Sequence, residues 1–378
     1  MNNVLVFFGG RSPEHEVSII TGLQLLEHID RELYNPIPIY ISEHGHFFQL
    51  NPIKNRKDFS LNSKTKIFFD YEEKEKIPYF FSDNSKKYPI YCAVNTLHGG
   101  DGESGQMAGF FDSYHIPYTS SGVESSVICM NKALSKEQVG KVSIPVIQGL
   151  SFSSFEIRNN IKEISTKVQK EIGLPIIIKP VHLGSSIGIK IAKTPIDLEL
   201  NLLDVSSLDT EIIAEKFLEN IKEFNCSVRT LKGKALASEI ERPLSKEAIL
   251  SFSEKYEKGA KKLTGGMVSL SRELPANIPS DLYKRIQDYS VQIFQICKCK
   301  GVVRIDFIQS EQGEIFFNEI NPIPGSMAFY LWEIMGIPFK QQISELIEES
   351  LYEYKTSTQT DYIHKTDIIK NFIKGYKH

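Results

Sequence analysis

The segment Gly301–Ser326, GVVRIDFIQSEQGEIFFNEINPIPGS, decides how the rest of the chain is read. Val302–Gln309 and Glu314–Asn321 predict two strands, rich in Val, Ile and Phe, joined by the turn residues Ser310–Gly313. Side chains alternate along a strand, so Arg304 and Asp306 share one face and Glu319 and Asn321 share one face. The four-residue connection predicts Arg304 opposite Glu319, which gathers all four polar side chains on one side of the hairpin. Val303, Ile305 and Phe307 take the other side as core. Three oxygen-bearing side chains and one guanidinium on a rigid sheet suit hard cations and the phosphates they carry. The plainer reading is a half-exposed hairpin whose charges face water. Pro322-Ile323-Pro324-Gly325 favours the first reading, because a solvated face has no use for a rigid turn that presents backbone donors.

Working outward, 378 residues are too many for one ordinary core and imply two or three domains. Hydrophobic content of 41% and charged content of 24% suit a soluble globular protein. A net charge of −3 and a pI near 6.3 argue against nucleic acid as the main partner. No apolar run approaches the ~20 residues that span a bilayer, so no membrane partner is expected. MNNVLVFFGG opens without a basic flank and reads as a strand rather than a signal peptide. Cys92, Cys129, Cys226, Cys297 and Cys299 show no C-x-x-C spacing, and predict reduced core thiols in a cytoplasmic protein.

Val4–Phe8 predicts a buried strand closed by Gly9-Gly10, with Ser12 as N-cap and Pro13 at the first position of the following helix. With a next strand at Ile37–Ile41 this makes a βαβ start, hence an α/β domain over 1–122. Residues 51–88 read as edge strands and loops embellishing it. A small α+β unit over 123–214 follows, with a helix at Met130–Val139, an amphipathic helix at Asn160–Ile172, and short strands at Ile176–Lys179, Ile187–Ile191 and Glu211–Ala214. A third unit over 215–378 holds the helix Leu282–Cys297, the hairpin, the helix Lys340–Leu351 and a tail that reads as a polar appendage.

Lys179 ends an apolar strand, and Lys132 opens a helix. A strand-end lysine can simply snorkel to solvent. Close behind Lys179, however, runs Leu183-Gly184-Ser185-Ser186-Ile187-Gly188, a loop whose amides and hydroxyls can fold over phosphate oxygens. Neither a P-loop nor G-x-G-x-x-G is present. Glu215-Lys216-Phe217-Leu218 follows a strand where two domains should meet, and its backbone could read an adenine edge, with Glu223 accepting ribose hydroxyls. Lys255-Tyr256 with Gly259, Gly265 and Gly266 has the texture of an active-site lid.

The order of GGRSPEHEVS, HGGDGESGQ, MNKALSK, IIIKP, LGSSIG, EKFL, EKY, RIDF and NEINPIPG resembles the D-alanine–D-alanine ligase family of the ATP-grasp superfamily, from about Val4 to about Leu351. The resemblance implies a three-domain ATP-grasp fold that joins two D-alanines through an acyl phosphate, for peptidoglycan precursors. It implies that Lys132, Lys179 and Lys255 meet ATP phosphates together with Ser185 and Ser186, that Glu215, Lys216, Phe217 and Leu218 hold adenine, and that Glu223 holds ribose. Asp306, Glu319 and Asn321 would bind two Mg²⁺, with Mn²⁺ as a substitute, while Arg304 and the Gly325 N–H form an oxyanion site. Glu14, Ser185 and Tyr256 would form a linked trio that anchors the first D-alanine, with His98 near its carboxylate and Ser326 at the second substrate. A homodimer is common in such families.

The chain departs from the family pattern at Pro322, at Ser326-Met327, at Ser253, and in a 215–223 segment one residue longer than usual. The changes after Asn321 bear on the second substrate's pocket, where Phe329 and Tyr330 are bulky and are expected to point outward. A ligase with another acceptor (D-lactate, D-serine or another amino acid) and a catalytically dead ATP-binding scaffold are the alternative readings.

Overall fold

A computed structural model describes residues 2–82, 86–244, 272–357 and 366–375. The opening run is apolar on both faces and therefore suits a strand covered on both sides. β1 (Asn2–Gly9) lies at the interior of a five-stranded sheet, parallel to β2 (Tyr34–Ile41) and to β8 (Cys92–Asn95). β3 (Phe47–Leu50) and β4 (Lys64–Lys66) extend its edge. β5 (Phe68–Glu72), β6 (Ile77–Phe81) and β7 (Lys87–Pro89) form a separate antiparallel sheet, so the 51–88 region is the embellishment expected.

A second, antiparallel sheet has the order β11 (Lys190–Ala192), β10 (Ile176–Pro180), β12 (Glu211–Lys216), β9 (Gly149–Ser153). It packs Ile176, Ile178, Ile212 and Ala214 against the helices Ile161–Glu171 and Pro195–Val205. A third sheet runs β15 (Arg272–Glu273), β14 (Lys234–Pro243), β13 (Lys222–Leu231), β16 (Val302–Gln309), β17 (Ile315–Asn321), backed by the helix Ser280–Ile296.

Several boundaries differ from expectation. The first helix spans His15–His28, because the Glu14 amide donates to Ser12 Oγ at 3.0 Å, turning the chain before the helix begins. The single helix predicted at Met130–Val139 is two, Val123–Met130 and Lys132–Gly140. They break at Asn131, whose extended backbone and bond from Leu134 N–H make it an N-cap. Ile128, Cys129 and Val139 from this pair belong to the core of the third sheet. The strand expected at Ile187–Ile191 shrinks to Lys190–Ala192, since Ser185, Ser186 and Gly188 adopt left-handed φ of 53°, 60° and 74°. The tail is not uniformly polar: in the helix Ile368–Gly375, Ile368, Ile369, Phe372 and Ile373 are exposed. All five cysteines are free and buried. Among the described residues no helix is long and apolar enough to cross a membrane.

Candidate active site

β16 and β17 form one wall of a cleft that also takes residues from the first helix and from the Gly184-Ser185 loop. The two strands pair in one register from Gln309↔Ile315 to Phe307↔Phe317, then shift so that Asp306 faces Glu319 and Arg304 faces Asn321. The expected pairing of Arg304 with Glu319 is therefore corrected. One residue of the shift arises at the turn, where Gln309 pairs with Ile315 rather than Glu314, and the other from a β-bulge that gives β17 one extra residue, Asn318. Continued without it, the register set at the turn would put Asn318 opposite Asp306 and send Glu319 to the core face beside Ile305. The bulge returns Glu319 and Asn321 to the face of Arg304 and Asp306.

On that face Arg304 grips Asp306 through Nε–Oδ1 and Nη2–Oδ2 bonds, both 2.7 Å, and Asn321 Nδ2 donates to Oδ2 at 3.1 Å. Burial opposes the charge on Arg304, but Asp306 outweighs it and holds the guanidinium well above its usual pKa. Burial raises Asp306 above the usual carboxylate range; Arg304 opposes the shift and Glu319 adds to it.

Beside the hairpin lies a cluster of lysines. Lys132 donates to the Leu183 carbonyl at 2.7 Å and stands 3.7 Å from Glu319 Oε2. Lys179 donates to Glu215 Oε2 at 2.7 Å and to Asn318 Oδ1 at 3.4 Å. The other oxygen of the fully buried Glu215 accepts from Lys136. Burial alone would raise Glu215, yet the two lysines outweigh it and bring it down to about 2. Burial lowers Lys136 in turn. Glu215 is thus a strand residue, not a residue beyond the strand end, and its carboxylate fixes two lysines. The Lys216 and Phe217 amides donate to the carbonyls of Gln148 and Pro175, so both already serve the fold. Glu223 lines the cleft.

At the far end of the first sheet Ser185 Oγ donates to Glu14 Oε1. Glycine is needed around this carboxylate. A Cβ at Gly99 (φ 62°) would stand 2.7 Å from Glu14 Oε2, and one at Gly184 would stand 3.2 Å from it. His98 is buried in the wall with Nε2 2.8 Å from Thr21 Oγ1, and burial drops its pKa to about 4, so it is neutral at pH 7. Glu103 accepts from the Gly99 and Ile323 amides at 2.6 and 3.0 Å. Burial, then the nearby Glu14 charge, pushes it up to about 8.

Gly325 lines the cleft but Ser326 does not. Ser326 is buried, its N–H donates to Thr21 Oγ1 at 3.1 Å, and its hydroxyl donates to Gln24. Its expected place at the substrate is corrected, because a left-handed run (φ 52°, 52° and 49° at Ser326, Met327 and Ala328) turns it toward the first helix. Phe329 stacks on Phe339 with centroids 4.8 Å apart, while Tyr330, against expectation, points into the cleft. Tyr330 Oη donates to Glu241 Oε1 at 2.7 Å. Glu241 also accepts from Asn225 Nδ2 and Arg272 Nη1, each at 2.9 Å, and the Arg272 guanidinium lies 4.2 Å from the Tyr330 ring centre. Lys255 and Tyr256, with the whole expected lid, lie outside the described residues.

A profile described as D-ala D-ala ligase N-terminus matches residues 3–121, and one described as D-ala D-ala ligase C-terminus matches residues 139–348. The chain belongs to the D-alanine–D-alanine ligase family. Relatives named D-alanine–D-alanine ligase from Thermosipho melanesiensis and Thermosipho africanus are 35% and 32% identical to it. The matches cover 94% and 97% of this chain and 95% and 98% of theirs. The solved D-alanine–D-alanine ligase of Coxiella burnetii superposes with a TM-score of 0.78 at 23% identity, over 95% of this chain and 98% of that one, which bears out the ATP-grasp fold. A D-Ala:D-Ser ligase from Enterococcus faecalis gives 0.77 at 26% identity, over 92% and 99%.

In this member of the D-alanine–D-alanine ligase family, two carboxylates and one carboxamide, Asp306, Glu319 and Asn321, make a hard oxygen donor set on one face. They fit a divalent cation, since Asp306 and Glu319 are cross-strand neighbours whose repulsion such an ion relieves. Among the described residues, no group of three or more His, Cys, Asp or Glu offers a rival site. Sequence reading missed Lys136, Glu103, Glu241 and Arg272. Lys136 had a signal, standing four residues after Lys132 on the same helix face.

Proposed function

We propose that this chain uses ATP to join two D-alanines into D-alanyl-D-alanine, as a cytoplasmic step in making peptidoglycan precursors. One observation carries the reading. The Glu14–Ser185 pair, the Lys132–Glu319 contact and the Arg304–Asp306–Asn321 group, drawn from distant parts of the chain, line one cleft. Glu14 takes the ammonium of the first D-alanine, aided by Ser185, with neutral His98 beside its carboxylate. Lys132 and Lys179 draw the ATP phosphates in, Ser185 and Ser186 add donors, and the Glu215–Leu218 backbone and Glu223 receive adenine and ribose. A carboxylate oxygen of the first D-alanine then attacks the γ-phosphorus, and the bond to ADP breaks.

The second amine attacks the acyl carbon, loses a proton, and displaces phosphate. Arg304 and the Gly325 N–H stabilise the oxyanion formed on the way, and removing one such donor typically costs about 3–4 kcal/mol. Asp306, Glu319 and Asn321 would hold Mg²⁺, two ions by the family pattern with Mn²⁺ as a substitute, and bound ions would screen the phosphate oxygens. A second reading, D-serine as acceptor, draws support from the likeness to the D-Ala:D-Ser ligase.

ADP release and product analysis test both readings. D-alanine alone should give D-alanyl-D-alanine with one ADP per peptide. Mixed products dominating in the presence of D-serine or D-lactate would favour another acceptor. No ADP release with any of these acids would remove the ligase reading and leave the scaffold.

A further inference from the structure

The Gly325 N–H can serve an oxyanion only if the turn that carries it is held still, and that turn does not hold itself. Ser326, Met327 and Ala328 follow it with left-handed φ of 52°, 52° and 49°. A run of such residues, none of them glycine, persists only where its surroundings over-determine it. On one side of Gly325, the Ile323 N–H donates to Glu103 Oε1 at 3.0 Å, and the Ile323 backbone also bonds His98. On the other, the Ser326 N–H donates to Thr21 Oγ1 at 3.1 Å, and the Ser326 hydroxyl donates to Gln24 Oε1 at 2.5 Å. From a third direction Gln342 Nε2 donates to the Met327 carbonyl at 2.9 Å.

Thr21 joins two of these ties. It is buried in the first helix, His15–His28, which begins beside Glu14. Its oxygen accepts from Ser326 and stands 2.8 Å from Nε2 of the neutral His98. A hydroxyl can accept one bond while its own hydrogen donates another. Thr21 therefore secures the turn at Ser326 directly and at Ile323 through His98. Valine has nearly the same shape and can make neither bond.

We propose, resting on the ligase reading above, that Thr21 is a positioning residue: it fixes the Ser326 amide and so aims the neighbouring Gly325 N–H at the oxyanion formed when the second amine attacks. Thr21 does not itself line the cleft. It acts on the second step alone, because transfer of the γ-phosphoryl group onto the donor carboxylate forms no oxyanion on carbon. One helix then serves both steps, with Glu14 at its start for the donor's ammonium and Thr21 within it for the oxyanion donor.

The test uses the full chain with Mg²⁺, D-alanine and ATP carrying heavy oxygen in the β–γ bridge. Reversible phosphoryl transfer scrambles that label into the non-bridging positions of the β-phosphate. Exchange therefore reports the first step, and dipeptide the second. Thr21→Val should lower kcat for dipeptide on the order of 10-fold with the ATP KM unchanged, and raise the ratio of exchange to dipeptide by about the same 10-fold. Thr21→Ser keeps the hydroxyl and should recover most of the loss. Dipeptide formation by Thr21→Val close to that of the unsubstituted protein overturns the proposal. So does an unchanged ratio of exchange to dipeptide, as a merely damaged fold would give, or a Thr21→Ser variant no better than Thr21→Val. If Thr21→Val does not fold, Thr21→Cys decides, because a thiol is a weak acceptor for the Ser326 N–H. A ratio raised about fivefold then supports the assignment, and an unchanged ratio sinks it. Unsubstituted protein giving neither exchange nor dipeptide would instead refute the ligase reading itself.

Discussion

The two ends of the cleft use the same kinds of side chain in opposite proportion. Behind one end, among the described residues, Lys132, Lys136 and Lys179 are paired with Glu215 and Glu319, which leaves positive charge in excess. At the other, Arg272 and Arg304 are matched by Glu241 and Asp306. An excess of cations suits a polyanion that arrives from solvent. A matched set instead gives fixed donors with little long-range pull, as suits a wall that must orient one carboxylate while a nucleotide lies close by. Under the proposed function, the count of opposite charges, more than residue type, separates the nucleotide end from the amino-acid end.

Removing Glu215 should break the lysine end most severely. Glu215→Gln strands two buried lysines without their counter-charge, and a loss of about 3–5 kcal/mol is expected from urea unfolding. Adding Lys136→Met should restore part of it, because one lysine less then needs compensation. A loss under about 1 kcal/mol would mean that the cluster is effectively solvated and the contrast unfounded.

Glu319→Gln comes next. It keeps the shape of a half-buried side chain, so the melting temperature should hold while kcat falls about 100-fold or more. Near-normal turnover at saturating Mg²⁺ would remove Glu319 from the metal set.

The smallest effect sharpens the comparison at the boundary between the two ends. Glu103 has its pKa raised from an ordinary 4.5 to about 8, first by burial and then by Glu14. A carboxyl raised on folding contributes stability that is full below pH 4.5 and is lost as pH rises through about 8, since the unfolded chain ionises first. Unfolding free energy should therefore decline from pH 5 to pH 8 more steeply in the unsubstituted protein than in Glu103→Gln. Parallel curves would show that Glu103 is ionised throughout.

What was legible in the sequence follows from how local its cause is. The Val/Ile/Phe runs of β1, β16 and β17 announce themselves, and the shared face of Asp306, Glu319 and Asn321 was legible because strand alternation is a two-residue rule. Their register was not legible, since it depends on a bulge at Asn318, within reach of a lysine from another sheet. Lys136 could have been found from its helical spacing to Lys132. Its partner Glu215 could not, being brought from 79 residues away. Glu241, Arg272 and Tyr330 had no pattern to betray them, for only the pairing of β14 with β15 and the left-handed run before Phe329 bring them together. Ser326 was misplaced because that same run reverses where a residue points, and nothing in Gly-Ser-Met-Ala foretells three left-handed residues in a row.

The bulge has a consequence for how this hairpin can vary over generations. Substitutions along β17 change one side chain at a time, and lengthening the Glu311–Gly313 tip leaves the ladder behind it untouched. Deleting the single residue Asn318 is different. It would exchange inside for outside along the rest of the strand, carrying Glu319 and Asn321 into the core and Ile320 onto the cleft. Descendants of this gene should therefore keep the spacing between Phe317 and Glu319 even where its residue types drift, and accept length changes at the tip.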